Sequence, residues 1–99
     1  VSLTTDVLEL LDALGHTEDQ VAESLRKLGV TGLRGEPCAC PVFYYLKQAG
    51  IPVESVRTFI HLTTGETVKM PSAVGVFVAD FDAYPEAWPE LVEPEAVNR

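Results

Sequence analysis

Only two of the 99 residues are cysteines, Cys38 and Cys40, and a single residue separates them. A bridge between them would close a tiny strained ring and constrain little of the unfolded chain, so a disulfide framework is excluded and a reducing compartment is expected. Histidine is equally scarce: His16 and His61 are the whole supply, and neither stands in a nucleophile motif. Long apolar runs are missing, which excludes a transmembrane helix, and the N-terminus lacks the basic flank and apolar block of a signal peptide. A cytoplasmic location is therefore expected. No Walker loop, dinucleotide fingerprint or Ser-His-Asp ordering occurs, and Gly32-x-x-Gly35 alone does not make a phosphate cradle. Bases are few as well. Seven Lys and Arg against fifteen Asp and Glu leave a net charge of −8, which argues against generic binding to phosphate backbones.

Hydrophobic residues make up 46% of the chain and charged ones 22%, enough apolar content for a folded domain. The length predicts one domain over residues 1–99. Charge is segregated along it. Residues 1–25 hold six acids and no base, 26–70 hold six bases against three acids, and 71–99 hold six acids and one base. Such a pattern suits intramolecular attraction and solubility.

The periodicity predicts a first helix over residues 5–14, with Val7, Leu10, Leu11 and Leu14 on one stripe and Gly15 ending it. Thr17-Glu18-Asp19-Gln20 matches a capping box and opens a second helix, in which Val21, Leu25 and Leu28 repeat and Gly29 is the stop. The segment from Gly32 to Gly50 breaks this pattern and restarts it. Gly32, Gly35 and Pro37 force a bent connection, and Pro41 suits the first position of a short third helix carrying Val42, Phe43, Tyr45, Leu46 and Ala49. After an Ile51-Pro52-Val53 linker, Val56, Thr58, Ile60 and Leu62 alternate with Arg57, Phe59 and His61 as in a strand, Thr63-Thr64-Gly65-Glu66 reads as a hairpin turn, and residues 67–70 return. Ser72 is placed as the N-cap of a fourth helix over 71–82, with Val74, Phe77, Val78 and Phe81 inward. The run Val74-Gly75-Val76-Phe77-Val78 also fits a strand, since it is β-branched and Gly75 disfavours a helix interior. Residues 83–99 form an acidic tail whose Pro85, Pro89 and Pro94 forbid a long helix, with Tyr84, Trp88 and Leu91 expected to pin it to the body and the last few residues loose. The fold class is α+β: about four helices and one antiparallel hairpin, in an order like that of a winged helix. The expected core is Leu10, Leu14, Val21, Leu25, Leu28, Val42, Leu46, Ile60, Val74, Phe77 and Phe81.

Three functional readings follow. A thiol or zinc site would use Cys38 and Cys40, with His16 and His61 completing a four-ligand inventory, though the spacing is not that of a finger or ribbon. Cys40, at a helix N-terminus, would be the activated thiol. A winged-helix-like DNA-binding regulator would use Arg26, Lys27, Arg34, Lys47, Arg57 and Lys69, yet the third helix offers a groove mainly Val42, Phe43, Tyr44, Tyr45 and Leu46. The reading the residues favour is a small regulatory or protein-interaction domain without catalytic activity, cofactor or metal. Its contact surface would be Phe43, Tyr44, Tyr45, Tyr84 and Trp88, and its partner another protein or a second copy whose acidic flanks meet the basic centre.

The block of two glycines, a polar turn, Cys40-Pro41 and Tyr45-Leu46 resembles a group of small uncharacterised actinobacterial proteins. Their chains carry a similar block followed by a hairpin, a Pro-led helix and a Tyr-Pro-Glu-Leu-Val-like tail. Here the tail differs, running Tyr84-Pro85-Glu86-Ala87-Trp88 before Pro89-Glu90-Leu91-Val92. The resemblance covers most of the chain and implies a shared domain, with no known activity attached.

Overall fold

The computed structural model describes residues 3–36 and 38–92. Helix α1 spans Leu3–Asp12 and buries Val7 and Leu11. It ends two residues earlier than its apolar stripe predicts, because Leu14 and Gly15 donate to Leu11 and Asp12 in a closing turn. Leu14 still reaches the core, while Leu10 is only half-buried against it. Helix α2, Glu18–Leu28, starts as its capping box requires: the Thr17 hydroxyl accepts from the Gln20 amide at 3.1 Å. The Gln20 side chain reaches back one residue further than expected, accepting from the His16 amide at 2.8 Å. At the far end Gly29 is left-handed, with φ of 73°, and Val30 donates to the Leu25 carbonyl. That turn inserts Val30 into the core and leaves Leu28 59% exposed, contrary to the expected core set.

Helix α3 spans Pro41–Gln48 with Cys40 as its cap and Pro41 in the first turn. Beyond it the chain forms a three-stranded antiparallel meander, β1 Val53–Val56, β2 Phe59–Leu62 and β3 Thr67–Lys69, in spatial order β1-β2-β3. The alternation over 56–62 predicts one strand. The chain instead turns at Arg57 and Thr58, so Val56 and Ile60 are both buried because they face each other across the turn. A two-residue period reads identically in the two cases. Val53, Val56, Ile60, Leu62 and Val68 form the inner face, while Phe59 with Lys69 and His61 with Thr67 pair on the outer one.

Helix α4 spans Ser72–Ala83, which resolves the helix-or-strand ambiguity in favour of helix. Ser72 is its first residue and Pro71 takes the cap position, with no side-chain cap bond, because the proline ring carries no hydrogen-bonding atom. Val74, Phe77, Val78 and Phe81 are buried, which sets helical spacing above β-branched content. A Cβ built at Gly75 meets nothing within 4 Å, and its backbone is not left-handed. Gly75→Ala is therefore expected to stabilise the protein by about 0.5–1 kcal/mol in urea denaturation, through a less flexible unfolded chain and better helix propensity.

After α4 a single 3-10 turn, Pro89–Leu91, buries Leu91 beside α2. Trp88 lies 4.8 Å from the Phe77 ring, whereas Tyr84 is 59% exposed and does not pin the segment. The looseness expected of the last residues falls at 93–99, outside the described residues. Among the described residues no helix is long and apolar enough to cross a membrane.

Candidate functional site

The five aromatics expected to form a contact surface are largely spent on packing. Phe43 is 6% exposed and meets Tyr44 edge-on at 5.5 Å. Tyr45 is half-buried, its hydroxyl donates to the Leu10 carbonyl at 2.6 Å, and desolvation pushes its phenol up from the ordinary range. Trp88 packs on Phe77, so Tyr84 alone is mostly exposed. A helix of eight residues with four buried positions keeps little apolar surface to offer.

The bases divide as well. Arg26 pairs with Glu23 and, at 3.0 Å, with Glu90. Arg34 donates to the Phe81 and Tyr84 carbonyls at 2.6 and 2.8 Å and to that of Ala87, with its guanidinium 4.5 Å over the Phe81 ring. Lys47 sits 5.5 Å over Phe43. That leaves Lys27, Arg57 and Lys69 with no ion pair among the described residues. In α3, the helix a DNA reading would send into a groove, Val42, Phe43 and Leu46 face the core.

The four-ligand metal inventory is dispersed. His16 is exposed beside Asp12 at the α1–α2 junction, Cys40 is buried at the cap of α3, and among the described residues no three His, Cys, Asp or Glu gather to hold an ion. Cys40 also fails the thiolate expectation. Its sulfur accepts from the Phe43 amide at 3.4 Å, which favours the thiolate, but desolvation outweighs this and pushes the thiol up to about 11. A group held protonated by the fold contributes stability below its unfolded pKa, and the contribution disappears as pH rises through the folded one. Raising the pH from about 9 to 11 should therefore cost about 2–3 kcal/mol that Cys40→Ala does not lose, measured by urea denaturation of both proteins. At neutral pH, iodoacetamide should label one thiol per native chain, Cys38, which mass spectrometry of the digest would locate.

Cys38 lies where chemistry-bearing side chains do converge. β1 bulges between Val53 and Ser55, since Val53 faces Leu62 and Ser55 faces the adjacent His61. A bulge leaves one residue outside the ladder, here Glu54, and its carbonyl is taken up by the Cys38 thiol at 3.3 Å. The turn carrying Cys38 is thus fastened to the edge strand. Together Cys38, Glu54, Ser55, Arg57 and His61 line a shallow cleft of about 350 Å³. Larger depressions exist, such as one of about 480 Å³ along residues 13–27, but its Lys27 is accompanied by Asp19 and Glu23. The bulge cleft joins Cys38 and His61 and excludes Cys40 and His16. Ser55 carries no sequence signal, because neither a bulge nor a contact with a turn 17 residues upstream is marked by residue type.

Protein-family models, curated proteins and solved structures were compared with this chain, and none matches. Residue roles therefore rest on the geometry above.

Proposed function

We propose that this chain is a non-catalytic protein-interaction domain that docks an acidic, partly apolar segment of a partner protein on the outer face of its sheet. The observation that carries the reading is Phe59. It is 40% exposed on the central strand, with Lys69 directly opposite it and Arg57 two residues before it. An exposed aromatic with two unpaired cations beside it is unusual in a chain of net charge −8. Burying Phe59 supplies the apolar gain, and the cations select an acidic partner and steer its approach. The recognition surface expected on α3 is replaced in this reading by the sheet.

The DNA-binding alternative is less well supported. Arg26 and Arg34 are engaged within the molecule, and α3 leaves mainly Lys47 and Gln48 for a groove. A labelled peptide of alternating Glu and Leu tests the interaction reading by fluorescence anisotropy. It is expected to bind with an affinity that falls as salt rises, and Phe59→Ser or Lys69→Glu should weaken it about tenfold. Peptide binding indifferent to both substitutions would sink the reading, as would tighter binding of a duplex oligonucleotide at the same salt. Sedimentation at high protein concentration identifies a second copy as the partner if the protein associates and salt dissolves the complex.

A further inference from the structure

We propose that the cleft at the β1 bulge is an oxyanion site, and that its ligand is a carboxylate of the docked acidic segment; the source of the carboxylate rests on the function proposed above. Ser55 decides the matter. It is 7% exposed and lines the cleft, and its hydroxyl, which is not sealed from solvent, makes no hydrogen bond with another described residue. A hydroxyl so placed is left to water or to a ligand that enters the cleft. The cleft is also lined by Arg57 and His61, which have no ion pair among the described residues.

These three groups complement one kind of ligand. Ser55 and His61 are directly opposite across β1 and β2, so their side chains share a face, and Arg57 stands on the turn that joins the same two strands. A hydroxyl, an imidazole N–H and a planar guanidinium on one hairpin offer hydrogen bonds to two oxygens, and Arg57 supplies a positive charge that Glu54 on the same lining offsets. The rigid hairpin holds them in place before the ligand arrives. Glu54 is the opposing group. Its exposed carboxylate also lines the cleft, so an anion must sit on the Arg57 and His61 side. Cys38 closes the cleft from the turn, its thiol held to the Glu54 carbonyl. Because His61 stands two residues along β2 from Phe59 on the same face, a chain lying on the sheet can bury an apolar side chain on Phe59 and place a carboxylate in the cleft.

Inorganic phosphate probes the cleft alone. Titrated at constant ionic strength against chloride, it is expected to shift the amide resonances of Ser55, Arg57 and His61 and to slow iodoacetamide labelling of Cys38. Arg57→Gln should weaken this response about tenfold or more, the usual consequence of removing a charge-assisted hydrogen bond. Ser55→Ala separates a site from a packing role. It should weaken the response about fivefold while leaving the melting temperature unchanged, since the hydroxyl makes no hydrogen bond within the described protein. The alternating Glu and Leu peptide should protect Cys38 as phosphate does.

Each failure has its own meaning. Phosphate that leaves the three resonances and the labelling rate unchanged, or acts equally on Ser55→Ala and Arg57→Gln, overturns the site. Peptide that binds through Phe59 without protecting Cys38 overturns the carboxylate of the docked segment as the cleft's ligand, while the docking function stands. Phosphate that binds as expected beside a peptide that does not bind at all upholds the oxyanion site and removes the acidic segment as its source.

Discussion

Gly32→Ala is expected to cost about 3–5 kcal/mol, a large part of what holds a domain of this size folded. A Cβ at this position would lie 2.4 Å from the Ala39 carbonyl oxygen, 2.5 Å from the Pro41 nitrogen and 2.6 Å from the Cys40 carbonyl carbon. All three are backbone atoms, so no side chain can swing aside. Relief would require the turn to withdraw from the start of α3, where Pro41 and Val42 are buried. Gly32 is also fixed from its other side, donating to the Leu91 carbonyl at 2.9 Å and bridging to Val92. The substitution is thus caught between α3 and the C-terminal segment. Urea denaturation measures the loss. A variant within 1 kcal/mol of the parent, a factor of roughly five in the folding equilibrium, would show that the turn can yield and that the close approach is not obligatory.

Arg34→Ala should cost about 2–3 kcal/mol, through the carbonyls it leaves behind. The last carbonyls of a helix have no partner within it, and those of α4 are followed by a loop rather than a glycine cap. Arg34 supplies the missing donors. It reaches the Phe81 carbonyl within the helix and those of Tyr84 and Ala87 beyond it, and its positive charge lies at the negative end of the helix. Asp82 returns the contact by accepting from the Gly35 amide at 2.8 Å. The turn and the end of α4 therefore hold each other. Arg34→Lys should recover less than half of the loss, because a single ammonium cannot match the forked guanidinium or stack on Phe81. Full recovery by lysine would mean that charge alone matters here.

These two residues show how much was legible. The glycines and prolines at 32–41 mark a bent connection on sight, and Thr17 with Gln20 marks the start of α2, because caps and turns depend on residues three or four apart. The same locality carries α3 from Pro41 to Gln48. What sequence could not convey is where such a joint is pressed. Arg34 reads as one of six available cations, yet its partners lie 47 to 53 residues away. Phe43 reads as part of an exposed aromatic surface, yet it is in the core. Its helix is short enough that packing against β1 occupies most of its faces. The bulge cleft was invisible for a further reason. It joins a turn to a strand irregularity, and neither the periodicity nor the spacing of residues 53–62 distinguishes one strand from two.

The sequence by itself determined the α+β class, the first three helices, the glycine stop of α2 and most of the buried stripe, since these follow from capping chemistry and the 3.6-residue period. Tertiary structure alone decided that the sheet has three strands, that Cys40 is a buried cap held protonated, and that Cys38, Ser55, Arg57 and His61 share a cleft. The physical reason is common to all three. Strand pairing, desolvation and convergence are properties of distant residues brought together, and a linear pattern carries no record of them.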